Sequence, residues 1–242
     1  MTRAVCLQHV SFEGPGAFAT HLVSQGVRLE RRLVPVEGLP PDPGDLLLVM
    51  GGPMSVNDPD AWIAEEAAFI RSALQGGTAV VGVCLGSQFM AKALGAAVWP
   101  AEAVEIGMTP VRLTDEGLRD PVFGTCPRRL EVFEWHGEVF DLPRGCVALA
   151  GSEVAPVQAF RYGDRAYGLL FHLEVEPAGI VALCRECPSD LRRAGLDADG
   201  VLRQAEPHLP RLHALAGLLI RHLLSLRGGP RGPGAEARPA GT

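Results

Sequence analysis

Cys84 stands between two glycines, as Gly82-x-Cys84-x-Gly86, at the end of an apolar run over 79–83. Behind it Leu85, Phe89, Met90, Ala93 and Leu94 fall at helical spacing and stop at Gly95. A cysteine on such a strand-to-helix turn has the form of a nucleophile elbow: the glycines relieve crowding in a sharp backbone, so the side chain stands out at the sheet edge. The helix N-terminus favours a thiolate and offers backbone N–H groups to a developing oxyanion. The plainer reading is a buried cysteine at a tight junction. A base with an orienting acid would separate the two, and His172 with Glu174 has the right form. Two residues apart in extended chain, they share a face, so the carboxylate can hold one imidazole nitrogen and leave the other for the thiol. Of seven histidines, only His172 has such an acid after a buried strand. A surface His-Glu pair closing a strand is the alternative.

These residues need a scaffold. Apolar runs at 5–10, 27–36 and 45–50, with a short helix at 18–24 before Gly26, predict an open, mainly parallel α/β sheet flanked by helices. After the third strand, Gly51-Gly52-Pro53 allows either close approach to a ligand or an ordinary turn. Asp58-Pro59 opens a helix whose apolar face is Trp62, Ile63, Ala67, Ile70 and Leu74. Beyond Gly95 shorter strands are expected at 96–99, 108–113, 147–150, 157–160 and 166–171. Between them Glu134-Trp135-His136-Gly137-Glu138 reads as a turn with a hydrogen-bonded histidine or as a substrate-lining loop. An amphipathic helix is expected over 209–226, and the Pro/Gly-rich stretch 228–242 reads as a disordered tail after one domain over 1–227.

Composition limits the function. The chain of 242 residues is 47% apolar, enough for a sizeable core, and has no run of 18 apolar residues and no signal-like start. A cytoplasmic protein without a membrane partner is expected. A net charge of −6 with dispersed arginines argues against nucleic acid. Six scattered cysteines suggest reduced thiols, and the lone Cys184-x-x-Cys187 is a weak signal for zinc or redox chemistry; no metal or cofactor is expected.

Gly-Gly-Pro at 51–53, Gly-Val-Cys-Leu-Gly-Ser-Gln at 82–88 and Phe-His-Leu-Glu-Val at 171–175, in that order, resemble the class I glutamine amidotransferases. Tyr167-Gly168, Val157-Gln158-Ala159-Phe160 and Trp135-His136-Gly137-Glu138 resemble the stand-alone branch related to the amidotransferase domain of GMP synthase. The resemblance implies a flavodoxin-like fold with Cys84 as nucleophile, His172 as base and Glu174 as its orienter. It further implies an oxyanion hole from the Gly52 and Leu85 N–H groups, and a glutamyl pocket bordered by Gly51, Pro53, Gln88, Trp135, His136 and Gly137. Attack on the γ-carboxamide would give a γ-glutamyl thioester and ammonia, and water would release glutamate. Two residues depart from the pattern: Leu170 stands where the family usually has Gln, and Leu173 where it usually has Pro. Leu170 implies a more apolar pocket wall if it faces the pocket and plain core packing if it faces the sheet, and Leu173 implies a looser chain between base and acid. Three readings follow: a free-standing hydrolase of glutamine or a γ-glutamyl compound, an ammonia-supplying subunit for a separate synthase, and a catalytically silent binding protein.

Overall fold

Strand β1 (Arg3–Gln8) is buried from Ala4 onward because its apolar residues follow one another without alternation, as a strand covered on both faces requires. The computed structural model describes residues 2–226, so the expected tail over 228–242 lies outside the described residues. On one side of the sheet β2 (Arg28–Leu33), β1, β3 (Leu46–Val49), β4 (Ala79–Val83) and β9 (Ala166–Leu169) lie in that order, each parallel to its neighbour. From β9 the sheet continues antiparallel through β8 (Ala159–Tyr162), β7 (Cys146–Gly151), β5 (Val98–Leu113) and β6 (Arg129–Phe140). The α/β architecture is therefore the expected one, with a parallel half that carries the elbow and an antiparallel half that walls it.

Alternation along β3 sends Leu46 and Leu48 into one apolar layer and Leu47 and Val49 into the other. The first layer packs under α1 (Gly16–Ser24) and α8 (Leu209–Ser225) through residues such as Phe18, Leu22, Leu212 and Leu219. The second packs under α3 (Ala61–Gln75) and α4 (Leu85–Ala93), whose Ile63, Ile70, Phe89 and Met90 are buried. The strand expected over 27–36 ends at Leu33, where Pro35 opens the short helix α2 (Val34–Glu37).

Three further expectations are corrected. The strands at 96–99 and 108–113 are the two ends of β5, which runs through without a break and absorbs its irregularity as a bulge between Pro100 and Glu105. The 134–138 cluster is neither turn nor loop: it lies inside β6, where pairing with β5 satisfies its backbone and places Glu134 and His136 in the interior. The last strand stops at Leu169, and 170–174 is a bent segment tied to β6 by a single bridge, His172 to Phe133. Between it and α8 lie α5 (Pro177–Glu186), α6 (Pro188–Ala194) and α7 (Ala198–Ala205), helices for which the apolar pattern gives little signal because they bury three, one and two side chains.

Candidate active site

The elbow forms as the glycine spacing predicts. Cys84 has φ 49° and ψ −111°, and is the one non-glycine residue with positive φ among the described residues. Such a backbone persists only where the surroundings over-determine it. Here the Cys84 N–H donates to Leu169 O at 2.8 Å, and a Cβ on Gly86 would collide with the Val49 carbonyl. Leu85 and Gly86 open α4, so their N–H groups have no partner within the helix. The Cys84 thiol donates to Trp135 O at 3.4 Å.

His172 reaches the elbow from the bent segment. Its N–H donates to Phe133 O at 2.8 Å, and Ala17 N–H donates to Glu174 O at 2.9 Å. These two bonds hold the chain on both sides of Leu173, which is itself buried. His172 Nδ1 lies 2.8 Å from Glu174 Oε1, while Nε2 is buried without a hydrogen-bond partner. Burial alone would depress the imidazole pKa, but Glu174 and the neighbouring Cys84 raise it well above its ordinary value. Both neighbours thus favour the protonated imidazole.

A cavity of about 420 Å³ opens beside Cys84. Gly52, Pro53, Gln88, Trp135, His136 and Gly137 all border it. Gly51 lies just behind, next to the His172 ring. Gln88 Nε2 donates to Glu138 O at 3.4 Å. Although His136 borders the cavity, its Nε2 is turned to a buried acid cluster, 3.2 Å from Glu105 Oε2 and 3.3 Å from Glu134 Oε2. Gln158 Nε2 donates to the same Glu105 oxygen at 2.8 Å. Burial opposes a charge on His136, but the two carboxylates outweigh it and push its pKa up to about 10.

Leu170 is not part of the cavity wall. Side chains alternate along this segment, so Leu169 and Phe171 enter one apolar layer and Leu170 the other, beneath α4. The inference of a more apolar pocket from Leu170 falls with this placement.

Sequence reasoning missed three features. Glu13, on the loop after β1, borders the Cys84 cavity and also a second cavity of about 450 Å³ reached by His172 and Glu174. Its carboxyl lies over Gly51, and burial pushes its pKa up to about 7 against the pull of His172. His9, also at the carboxyl edge of β1, bonds Gly51 O and Glu66. The rule that ligands collect at that edge, applied to β3 and β4, applies equally to β1 and would have singled out both. From α6, Asp190 and Arg193 line the mouth, and Trp135 Nε1 donates to Asp190 Oδ2 at 3.3 Å. Their segment carries no motif. Cys184 and Cys187 are unpaired thiols, and among the described residues no group of three or more His, Cys, Asp or Glu side chains is arranged to hold a metal ion.

With this geometry in place, comparison with known proteins decides the family. The model of "Glutamine amidotransferase class-I" matches residues 20–179. The chain belongs to the class I glutamine amidotransferase family. It is 34% identical over 194 residues to the glutamine amidotransferase-like protein YfeJ of Salmonella typhimurium, covering 77% of this chain and 81% of that one. It is 38% identical over 146 residues to the glutamine-hydrolyzing GMP synthase of Thermomicrobium roseum, covering 57% of this chain but 25% of the synthase. The crystal structure of a glutamine amidotransferase from Thermotoga maritima superposes with a TM-score of 0.83 at 30% identity, over 92% of this chain and 98% of that one. The amidotransferase fold thus accounts for almost the whole described chain, and the match to GMP synthase spans only a quarter of that protein. Among the described residues no helix is long and apolar enough to cross a membrane.

Proposed function

We propose that this amidotransferase-like chain is a Cys84–His172–Glu174 hydrolase acting on the γ-carboxamide of glutamine or of a γ-glutamyl compound. One arrangement carries the reading: a buried imidazole held at Nδ1 by Glu174, its Nε2 unpartnered, beside a cysteine on a strained strand-helix turn. A protonated imidazole and the start of α4 both favour an anionic sulfur. That sulfur attacks the carboxamide carbon, the π pair moves to oxygen, and the Gly52 and Leu85 N–H groups receive the oxyanion. Collapse expels the amine with a proton from His172 Nε2, leaving a γ-glutamyl thioester. His172, now neutral, takes a proton from water as it attacks, and glutamate and Cys84 are regenerated. Gln88 and the backbone of 135–137 border the space for the glutamyl group.

The relation to GMP synthase favours a second reading, in which the ammonia is consumed by a separate synthase partner. Glutamate release by the isolated protein separates the two. Hydrolysis of glutamine or γ-glutamyl peptides without any partner, reduced more than about a thousandfold by Cys84→Ala, is expected for the hydrolase. Hydrolysis that appears only when a synthase is added supports the second reading. Wild-type rates in Cys84→Ala would overturn both.

A further inference from the structure

His9 and Glu66 form a buried pair that the proposed chemistry does not use directly. Both side chains have no exposed surface. His9 Nδ1 lies 2.9 Å from Gly51 O and Nε2 lies 3.0 Å from Glu66 Oε1. A carbonyl only accepts, so Nδ1 carries a proton and donates to Gly51 O, which leaves Nε2 to the Glu66 carboxyl. Burial disfavours a charge on the ring, but Glu66 and the Gly51 carbonyl raise the imidazole pKa above its ordinary value. The ring lies stacked against Phe89 at 5.5 Å and 21°, and against Trp62 at 5.8 Å and 28°. It cannot swing away without breaking both stacks.

What this ring holds is one peptide plane. In a trans peptide the Gly51 carbonyl and the Gly52 N–H point in opposite directions, so fixing one fixes the other. Two adjacent glycines otherwise allow that plane to turn over at little cost. Turned over, the Gly51 carbonyl oxygen would face the place where negative charge develops. Gly52 itself is wedged between the His9 and Leu85 side chains: a Cβ there would stand 3.0 Å from His9 Cβ and 2.9 Å from Leu85 Cδ2.

We propose that His9 and Glu66 are positioning residues for the oxyanion hole: the Glu66-anchored His9 imidazole grips the Gly51 carbonyl through its Nδ1–H and thereby aims the Gly52 N–H at the reacting carbonyl oxygen. This rests on the thioester reading, in which Gly52 is an oxyanion donor. The clamp acts on the transition state and not on the bound substrate, because the charge that the Gly52 N–H meets exists only after attack.

Glutamate γ-semialdehyde tests it. The Cys84 sulfur adds to the aldehyde carbon, the π pair moves to oxygen, and the resulting oxyanion of the hemithioacetal occupies the same hole. His9→Phe combined with Glu66→Leu removes both polar partners while keeping the aromatic stack, so no buried charge is stranded. That double variant is expected to lose affinity for the semialdehyde by about 10²–10³-fold, with kcat for glutamate release falling by a similar factor. KM, and the affinity of a Cys84→Ala background for intact glutamine, are expected to stay near wild type; a merely packing role would not divide the two ligands. Glu66→Gln leaves a neutral His9 that still donates from Nδ1 and accepts at Nε2, so it should retain semialdehyde affinity within about tenfold of wild type. Equal affinity in wild type and the folded double variant overturns the clamp alone. So does a hundredfold loss in Glu66→Gln, which decides the matter if the double variant does not fold. A wild type that neither forms the adduct nor releases glutamate from glutamine or a γ-glutamyl peptide removes the oxyanion, and with it the thioester reading and the clamp together.

Discussion

At the scale of single residues, Glu13 changes what the cavity can do, because it sets a second carboxyl beside the imidazole that Glu174 already holds. Its pKa of about 7 lies above the ordinary carboxyl value mainly through burial, and the His172 charge pulls it back down. Ionised Glu13 therefore favours the cationic His172 needed to protonate the leaving amine. The pH profile of kcat/KM should rise with pH through an ionisation near 7, and Glu13→Gln should remove that limb. A profile unchanged in Glu13→Gln would detach Glu13 from the chemistry. The sign for stability is opposite: a raised carboxyl pKa means that the fold loses stability as pH rises from about 4.5 through 7, so Glu13→Gln should gain relative to wild type above that window. The thiols divide as sharply. Burial raises the pKa of Cys6, Cys126, Cys146, Cys184 and Cys187. Cys84 alone stands at the start of α4 on a strained turn and borders the cavity beside His172. A glutamine-mimicking electrophile should label Cys84 first by peptide mapping, and equal labelling of Cys126 would defeat the assignment. Cys84, His172 and Glu174 were legible in sequence because each sits in a short local motif. Glu13 and His9 sit in no such motif, since their partners lie on other elements, His172 for Glu13, Gly51 and Glu66 for His9, and only their place at the carboxyl edge of β1 marks them.

At the scale of elements, the parallel half was readable because unbroken apolar runs and amphipathic helices have distinct periods. The antiparallel half was readable only in part: the runs at 147–150 and 157–160 mark β7 and β8, but β6 was missed and β5 was divided. A polar pair such as Glu134 and His136 in the interior of β6 looks like a turn until the strand that satisfies it is known, and β5, its partner, hides its continuity behind Pro100 and a bulge. Leu170 makes the same point at one position. A departure from a family pattern next to a catalytic motif invites a reading in terms of substrate, but strand alternation sends this side chain into the apolar layer beneath α4. Leu170→Gln would bury an amide there without a designed partner, and a loss of about 1–3 kcal/mol in denaturant unfolding is expected. The ratio of activities on glutamine and γ-glutamyl peptides should not move. A changed ratio at unchanged stability would place the side chain in the pocket after all.

At the scale of the whole molecule, the buried cluster of Glu105, Glu134, His136 and Gln158 joins β5 and β6 to the segment entering β8, while the cavity lies against the same strands. It is costly to bury two carboxylates, and a neutral imidazole could not offset them; the cation can, which is why its pKa is displaced to about 10. The folded-state pKa of His136 is above the unfolded value near 6.5, so its contribution is fully present below that value and is lost as pH rises through 10. Glu134 works the other way: burial raises its pKa, and its protonated form is favoured on folding. Comparing wild type with His136→Gln cancels most of what the rest of the chain titrates. The variant should melt well below wild type between pH 6 and 8, where the imidazolium is intact, and the gap should close as the pH passes 10. A gap independent of pH from 6 to 11 would mean that His136 serves by shape and not by charge. The antiparallel wall of the active site would then owe its stability to packing alone, and the acid pair would have to be neutralised by protons of its own.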